Sequence, residues 1–119
     1  MAIRRIVKEG DPILRMKCRP VTEFGEKLNQ LLDDMHETLE QANGVGLAAP
    51  QVGYCRRFFI MHLGDVKIEA INPEIKKTSG KQYVLEGCLS VPNKWGYVTR
   101  PNKCKFRAQN RKGEWYEMT

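Results

Sequence analysis

Gly44-Val45-Gly46-Leu47-Ala48-Ala49-Pro50-Gln51 separates a helical pattern from a run of strands, and it conditions how both are read. Two glycines one residue apart are compatible with a plain tight turn, and G-x-G alone is a weak signal. The octet carries more. Its glycines let an extended ligand approach the main chain, and the small Ala48 and Ala49 allow close packing beneath. Gln51 offers a neutral amide donor, suited to an oxyanion that develops during attack on a carbonyl. A second reading stays open for Gln51: a side chain that only caps the loop.

Upstream, Phe24, Leu28, Leu31, Leu32, Met35, Leu39 and Ala42 recur in steps of three and four, which predicts one amphipathic helix. Thr22 is placed to cap it, with Glu23 and Glu26 near the positive end of the dipole, and Asn43-Gly44 stops it. Downstream, residues 57–61 predict a buried strand, and residues 66–70 alternate as a half-exposed strand punctuated by Asn72-Pro73. Residues 82–85 lead into a cysteine motif, and residues 103–108 and 114–118 flank a turn, as a hairpin does. One N-terminal amphipathic helix followed by antiparallel strands and hairpins is an α+β pattern, expected to form a single domain over 1–119.

The hydrophobic fraction of 41% and charged fraction of 29% are those of an ordinary globular chain. No run of 18 apolar residues predicts a membrane span, and the charged N-terminus lacks the apolar core of a secretory signal. A cytoplasmic location without membrane partners follows as the default expectation. Cys18, Cys55, Cys88 and Cys104 are widely spaced and suggest no disulfide framework. The net charge of +6 is dispersed, and without a zinc-finger or RNP pattern it reads as a solvated face and not as a specific nucleic-acid footprint.

Glu86-Gly87-Cys88-Leu89-Ser90 sets a thiol on a glycine-loosened turn 37 residues after Gln51. Thiolate is a soft ligand for iron or zinc, and a cysteine with two imidazoles leaves a fourth position open for water. Such a metal lowers the pKa of its water towards neutrality. The Leu89 N–H, next to the ligand, is placed to point at the same oxyanion as Gln51. His36 borders the helix stripe and reads as a half-exposed surface residue, and His62 follows an apolar strand and reads as structural or solvated. Neither is expected in a metal site.

Together the two segments resemble the first two signature motifs of the peptide deformylases, and the likeness runs from about Ile6 to Met118. The resemblance implies a deformylase-like fold and metal-dependent hydrolysis of the N-formyl group from N-formylmethionyl peptides, releasing formate during protein maturation. It implies Cys88 as metal ligand and Gln51 and Leu89 as oxyanion donors. Gly44, Val45, Gly46, Glu86 and Gly87 are implied to line the substrate cleft. Ferrous iron is the implied metal, with Zn2+, Ni2+ or Co2+ as substitutes, and the ribosome is an implied partner. The family's third motif, a central His-Glu-x-x-His helix, has no counterpart up to Thr119. The expectation is therefore an inactive chain with an uncovered apolar sheet face, prone to marginal stability or association. The alternative is a catalytically dead deformylase-like protein that binds peptide N-termini.

Overall fold

The computed structural model describes residues 3–101 and 103–119, and only the backbone of Val84, Leu85 and Asn93. The N-terminal reading therefore applies from Ile3 onward, and the apolar side chains expected in residues 82–85 lie partly outside the described set.

One helix, α1 (Glu26–Ala42), carries the predicted stripe. Leu32, Met35 and Leu39 on it are fully buried. They meet Leu47, Ile60 and Ile71 from the strands in one hydrophobic core. Each such side chain contributes about 1.5–3 kcal/mol by leaving water. The predicted stop is present: Asn43 adopts the left-handed conformation at φ 55 and its N–H bonds back to Leu39 and Glu40.

The predicted start is not. Gly25 is the N-cap and Thr22 is not part of the helix. Asn72 gives the reason, because its side chain accepts from the Val21 N–H at 2.7 Å and donates to the Val21 carbonyl at 2.8 Å. Both main-chain groups of Val21 are thereby tied to the sheet, which keeps the chain extended until it has passed Thr22.

Seven strands follow: β1 (Gly46–Ala48), β2 (Phe58–Leu63), β3 (Val66–Ser79), β4 (Gln82–Cys88), β5 (Val91–Arg100), β6 (Lys103–Gln109) and β7 (Trp115–Met118). Among the described residues these strands pair antiparallel throughout, in a five-stranded sheet ordered β1-β2-β3-β6-β7 and a separate β4-β5 ribbon. The α+β expectation and the final hairpin hold.

Asn72-Pro73 does not end its strand. β3 runs through it, and the register against β6 slips between Ile71 and Glu74. Asn72, at φ 52, absorbs the irregularity, and Pro73 falls where the ladder is already broken. Among the described residues no helix is long and apolar enough to cross a membrane.

Candidate functional site

The glycine-rich octet is not a loop. Its middle forms β1 at the edge of the five-stranded sheet, and residues Ala49–Val52 form a 3-10 turn that begins with Pro50 near its start. The turn places Gln51 against the cysteine motif. Gln51 Oε1 accepts from the Ala48 N–H at 2.9 Å, which fixes the amide so that Nε2 faces the other motif. There Nε2 donates to Ser90 Oγ at 3.0 Å and approaches Cys88 Sγ at 3.6 Å. The capping reading of Gln51 holds for its oxygen, and its nitrogen is presented beside the thiol.

A segment without any sequence signal straps the two motifs together. The Val7 N–H donates to the Gln51 carbonyl at 2.6 Å, and the Glu9 N–H donates to the Ser90 carbonyl at 2.8 Å. Lys8 Nζ reaches the Leu89 carbonyl at 3.4 Å. Ser90 has no sequence signal of its own beyond its place in the cysteine motif. It is 3% exposed, and its hydroxyl is what holds the Gln51 amide.

The glycines divide by cause. A Cβ on Gly44 would lie 2.7 Å from Leu39 Cδ1 and 2.8 Å from Leu89 Cδ1, so packing favours glycine there and any larger residue must displace those side-chain ends. The missing Cβ lets Leu89 pack beside Leu39 at the end of α1. A Cβ on Gly46 would meet nothing closer than the Ile60 carbonyl at 3.6 Å, so packing makes no such demand. Gly46 lies exposed on the edge strand, beside Val45, itself 63% exposed. On the ribbon, a Cβ on Gly87 would strike the Trp95 ring at 2.9 Å. Glu86 is gripped by Arg100 through two bonds of 2.7 and 2.9 Å, and that hydrogen bonding holds its carboxyl below the usual range.

The histidines form a second cluster. His36 Nδ1 and His62 Nε2 are 2.8 Å apart, and His36 Nε2 is 2.8 Å from Glu69 Oε2. The rings lie within 3° of parallel with centroids 5.0 Å apart. That separation is the N···N distance plus the two ring radii, so the rings meet edge to edge in one plane. Arg111 bonds Glu69 at 2.9 Å and Asp33 at 3.0 Å. Burial works against ionising Glu69, but the Arg111 and His36 hydrogen bonds outweigh it and bring its pKa to about 2. Burial, and then the charge of His36, push His62 downward. The half-exposed surface reading of His36 is corrected: its side chain is 13% exposed and both ring nitrogens are engaged.

The comparisons with known proteins give the family. A polypeptide deformylase family model matches residues 3–119. The chain belongs to this family. A peptide deformylase of Clostridium botulinum is 54% identical over 118 residues, covering 99% of this chain and 80% of the relative. The crystal structure of the Thermotoga maritima peptide deformylase superposes with a TM-score of 0.96 at 42% identity, over 98% of this chain and 80% of that one. An Ehrlichia chaffeensis peptide deformylase crystallised in complex with actinonin matches at a TM-score of 0.96 and 30% identity, over 99% of this chain and 74% of that one.

Deformylases are metal-dependent hydrolases. A catalytic site ordinarily takes three protein ligands. Among the described residues no group of three His, Cys, Asp or Glu side chains could hold a metal. His36 and His62 bond each other, which leaves Cys88 as a lone exposed thiol. The described residues by themselves do not fit a catalytic metal.

Proposed function

We propose that this chain forms the peptide-binding cleft and oxyanion side of a peptide deformylase acting on N-formylmethionyl peptides. The observation that carries the reading is the fixed Gln51 amide, whose Nε2 is turned to Cys88 by the Ala48 N–H and the Ser90 hydroxyl. A donor oriented before substrate arrives needs no reorganisation when negative charge develops on a carbonyl oxygen.

In this reading Gln51 and the Leu89 N–H are the oxyanion donors. β1 is an edge strand, to which a peptide adds as a further strand, with Gly46 leaving room for its close approach. Gly44 and Val45 border the formylmethionine end, and Glu86 and Gly87 form the facing wall. Cys88 is the metal-ligating thiolate, with iron the preferred metal and zinc, nickel or cobalt as substitutes. Residues 1–119 act as one folding unit in the cytoplasm, with nascent chains at the ribosome as the source of substrate.

The lone Cys88 favours a second reading, binding of peptide N-termini without turnover. One experiment separates them: NMR titration with formyl-Met-Ala-Ser, paired with anaerobic assay of formate release in ferrous iron. Saturable shifts at residues 44–46 and 86–89, with formate release abolished by Cys88→Ser, support the hydrolase. The same shifts with no formate support the binder. No shifts in either segment overturn both.

A further inference from the structure

We propose that the far end of the β3–β6 pair and the adjoining root of the β4–β5 ribbon form a sequence-independent binding face for single-stranded RNA. The starting observation is where the charge lies. Of 20 basic and 14 acidic side chains, eight basic ones fall between Ile75 and Asn110 but only one acidic one, Glu86. The remainder of the chain is close to neutral, so the net charge of +6 belongs to this part of the molecule.

The topology then concentrates it. Lys77 stands opposite Lys105, and Ser79 opposite Lys103, where β3 leaves the sheet and β6 enters it. Gln82 stands opposite Arg100 at the root of the ribbon, and its amide reaches the Pro101 carbonyl at 3.4 Å. Lys81 joins the two, so the ends of four strands converge on one junction.

Like charges directly opposite on neighbouring strands are destabilising. Glu117 offsets the Lys77–Lys105 pair only in part, through Lys105 at 3.2 Å. Among the described residues no ion pair engages Lys76, Lys77, Lys81 or Lys103, and all four are exposed. A surface that carries such repulsion suits an anionic strand.

Aromatic rings distinguish RNA from other polyanions. Tyr83 and Tyr97 stack with centroids 5.1 Å apart, yet remain 69% and 64% exposed. Tyr83 pairs with Thr99, the next rung after Gln82 and Arg100. A preformed exposed stack beside lysines is the arrangement that accepts an unpaired base while phosphates meet the ammonium groups. From Gln82 to Cys88 the ribbon spans about 20 Å at ~3.3 Å per residue. The lysine end of the face is the part remote from Cys88, while Tyr97, opposite Leu85, adjoins the Glu86 wall.

The test is fluorescence anisotropy of labelled U12 RNA with the full chain, at several potassium chloride concentrations. With three or four phosphates neutralised, affinity is expected to fall about twenty- to fiftyfold between 50 and 200 mM salt. Lys77→Glu/Lys81→Glu/Lys103→Glu is expected to weaken binding at least about tenfold and flatten the salt slope. Tyr83→Ala/Tyr97→Ala is expected to weaken it about five- to tenfold with the slope unchanged. Lys→Gln versions at the same three positions repeat the measurement should charge reversal lower the melting temperature. Wild-type affinity in either lysine variant overturns the face. Wild-type affinity in the tyrosine variant, or tighter binding to phosphatidylserine vesicles than to U12, overturns RNA as its ligand.

Discussion

The Gln51–Cys88–Ser90 cluster and the His36–His62–Glu69–Arg111 cluster are each assembled from distant parts of the chain, and each contains short, well-directed hydrogen bonds. They differ in what is left over. In the histidine cluster both nitrogens of His36 are engaged, Glu69 bonds two partners, and Arg111 also bonds Asp33. In the glutamine cluster the bonds orient one amide towards an exposed thiol, and Cys88 keeps its capacity as a ligand. A closed network stabilises the fold. An open one, held in place by its surroundings, leaves groups that can meet a ligand. The titratable groups alone point to the histidine cluster, since a displaced carboxyl and two histidines are a common mark of an active site; the glutamine cluster is the one on which the proposed function rests.

The largest expected effect comes from breaking the closed network. Arg111→Met leaves Glu69 and Asp33 without their guanidinium and is expected to cost about 2–3 kcal/mol, below the range for fully buried pairs because Arg111 is 30% exposed. The urea midpoint at pH 7 measures it, and a cost under about 0.5 kcal/mol would mean the contacts are surface pairs. Acid titration reports the same network with a defined sign. Glu69 falls from 4.5 unfolded to about 2 folded, so the unfolded chain binds more protons between these values. Its contribution is full above about pH 5 and is lost as pH falls towards 2, with a ceiling of about 3 kcal/mol. His62, lowered by burial, also titrates first in the unfolded chain, so stability starts to fall as pH drops through about 6.5. Arg111→Met should shrink the acid step and retain the one near neutrality.

Why the open cluster was legible in the sequence and the closed one was not follows from how each is encoded. Gln51 and Cys88 sit in contiguous motifs, and Gly44 and Gly87 sit at fixed offsets from them. The helix stripe and the final hairpin are local patterns of the same kind. The His36–His62–Glu69 line joins α1, β2 and β3 side by side, and no spacing along the chain announces it. Asn72 likewise acts at long range, delaying α1 and carrying β3 through Pro73. β1 was hidden because three residues of Gly-Leu-Ala have no strand preference, and pairing with β2 makes them one.

A middle-sized effect separates the two glycines of the octet. Gly44→Ala drives a methyl into Leu39 and Leu89 and is expected to cost about 1–2 kcal/mol. Those neighbours are side-chain ends that can shift, so the protein should still fold with Leu89 displaced beside Cys88. Gly46→Ala meets no such contact and should change stability by less than about 0.5 kcal/mol while weakening peptide binding. Melting curves for both variants, beside the peptide titration, decide it. Equal destabilisation would remove the distinction between a glycine favoured by packing and one left for a ligand.

The smallest difference lies within a single turn. Ser90 is 3% exposed and accepts from Gln51, so Ser90→Ala removes a buried partner and is expected to cost about 1 kcal/mol. Cys88, two residues earlier, is exposed, and Cys88→Ser should be neutral within about 0.5 kcal/mol. The functional order should be reversed. Ser90→Ala only loosens the Gln51 amide and should reduce any formate release, whereas Cys88→Ser should abolish it. A greater stability loss at Cys88 than at Ser90 would make the thiol a packing group, and the assignment of Cys88 as a ligand would fall with it.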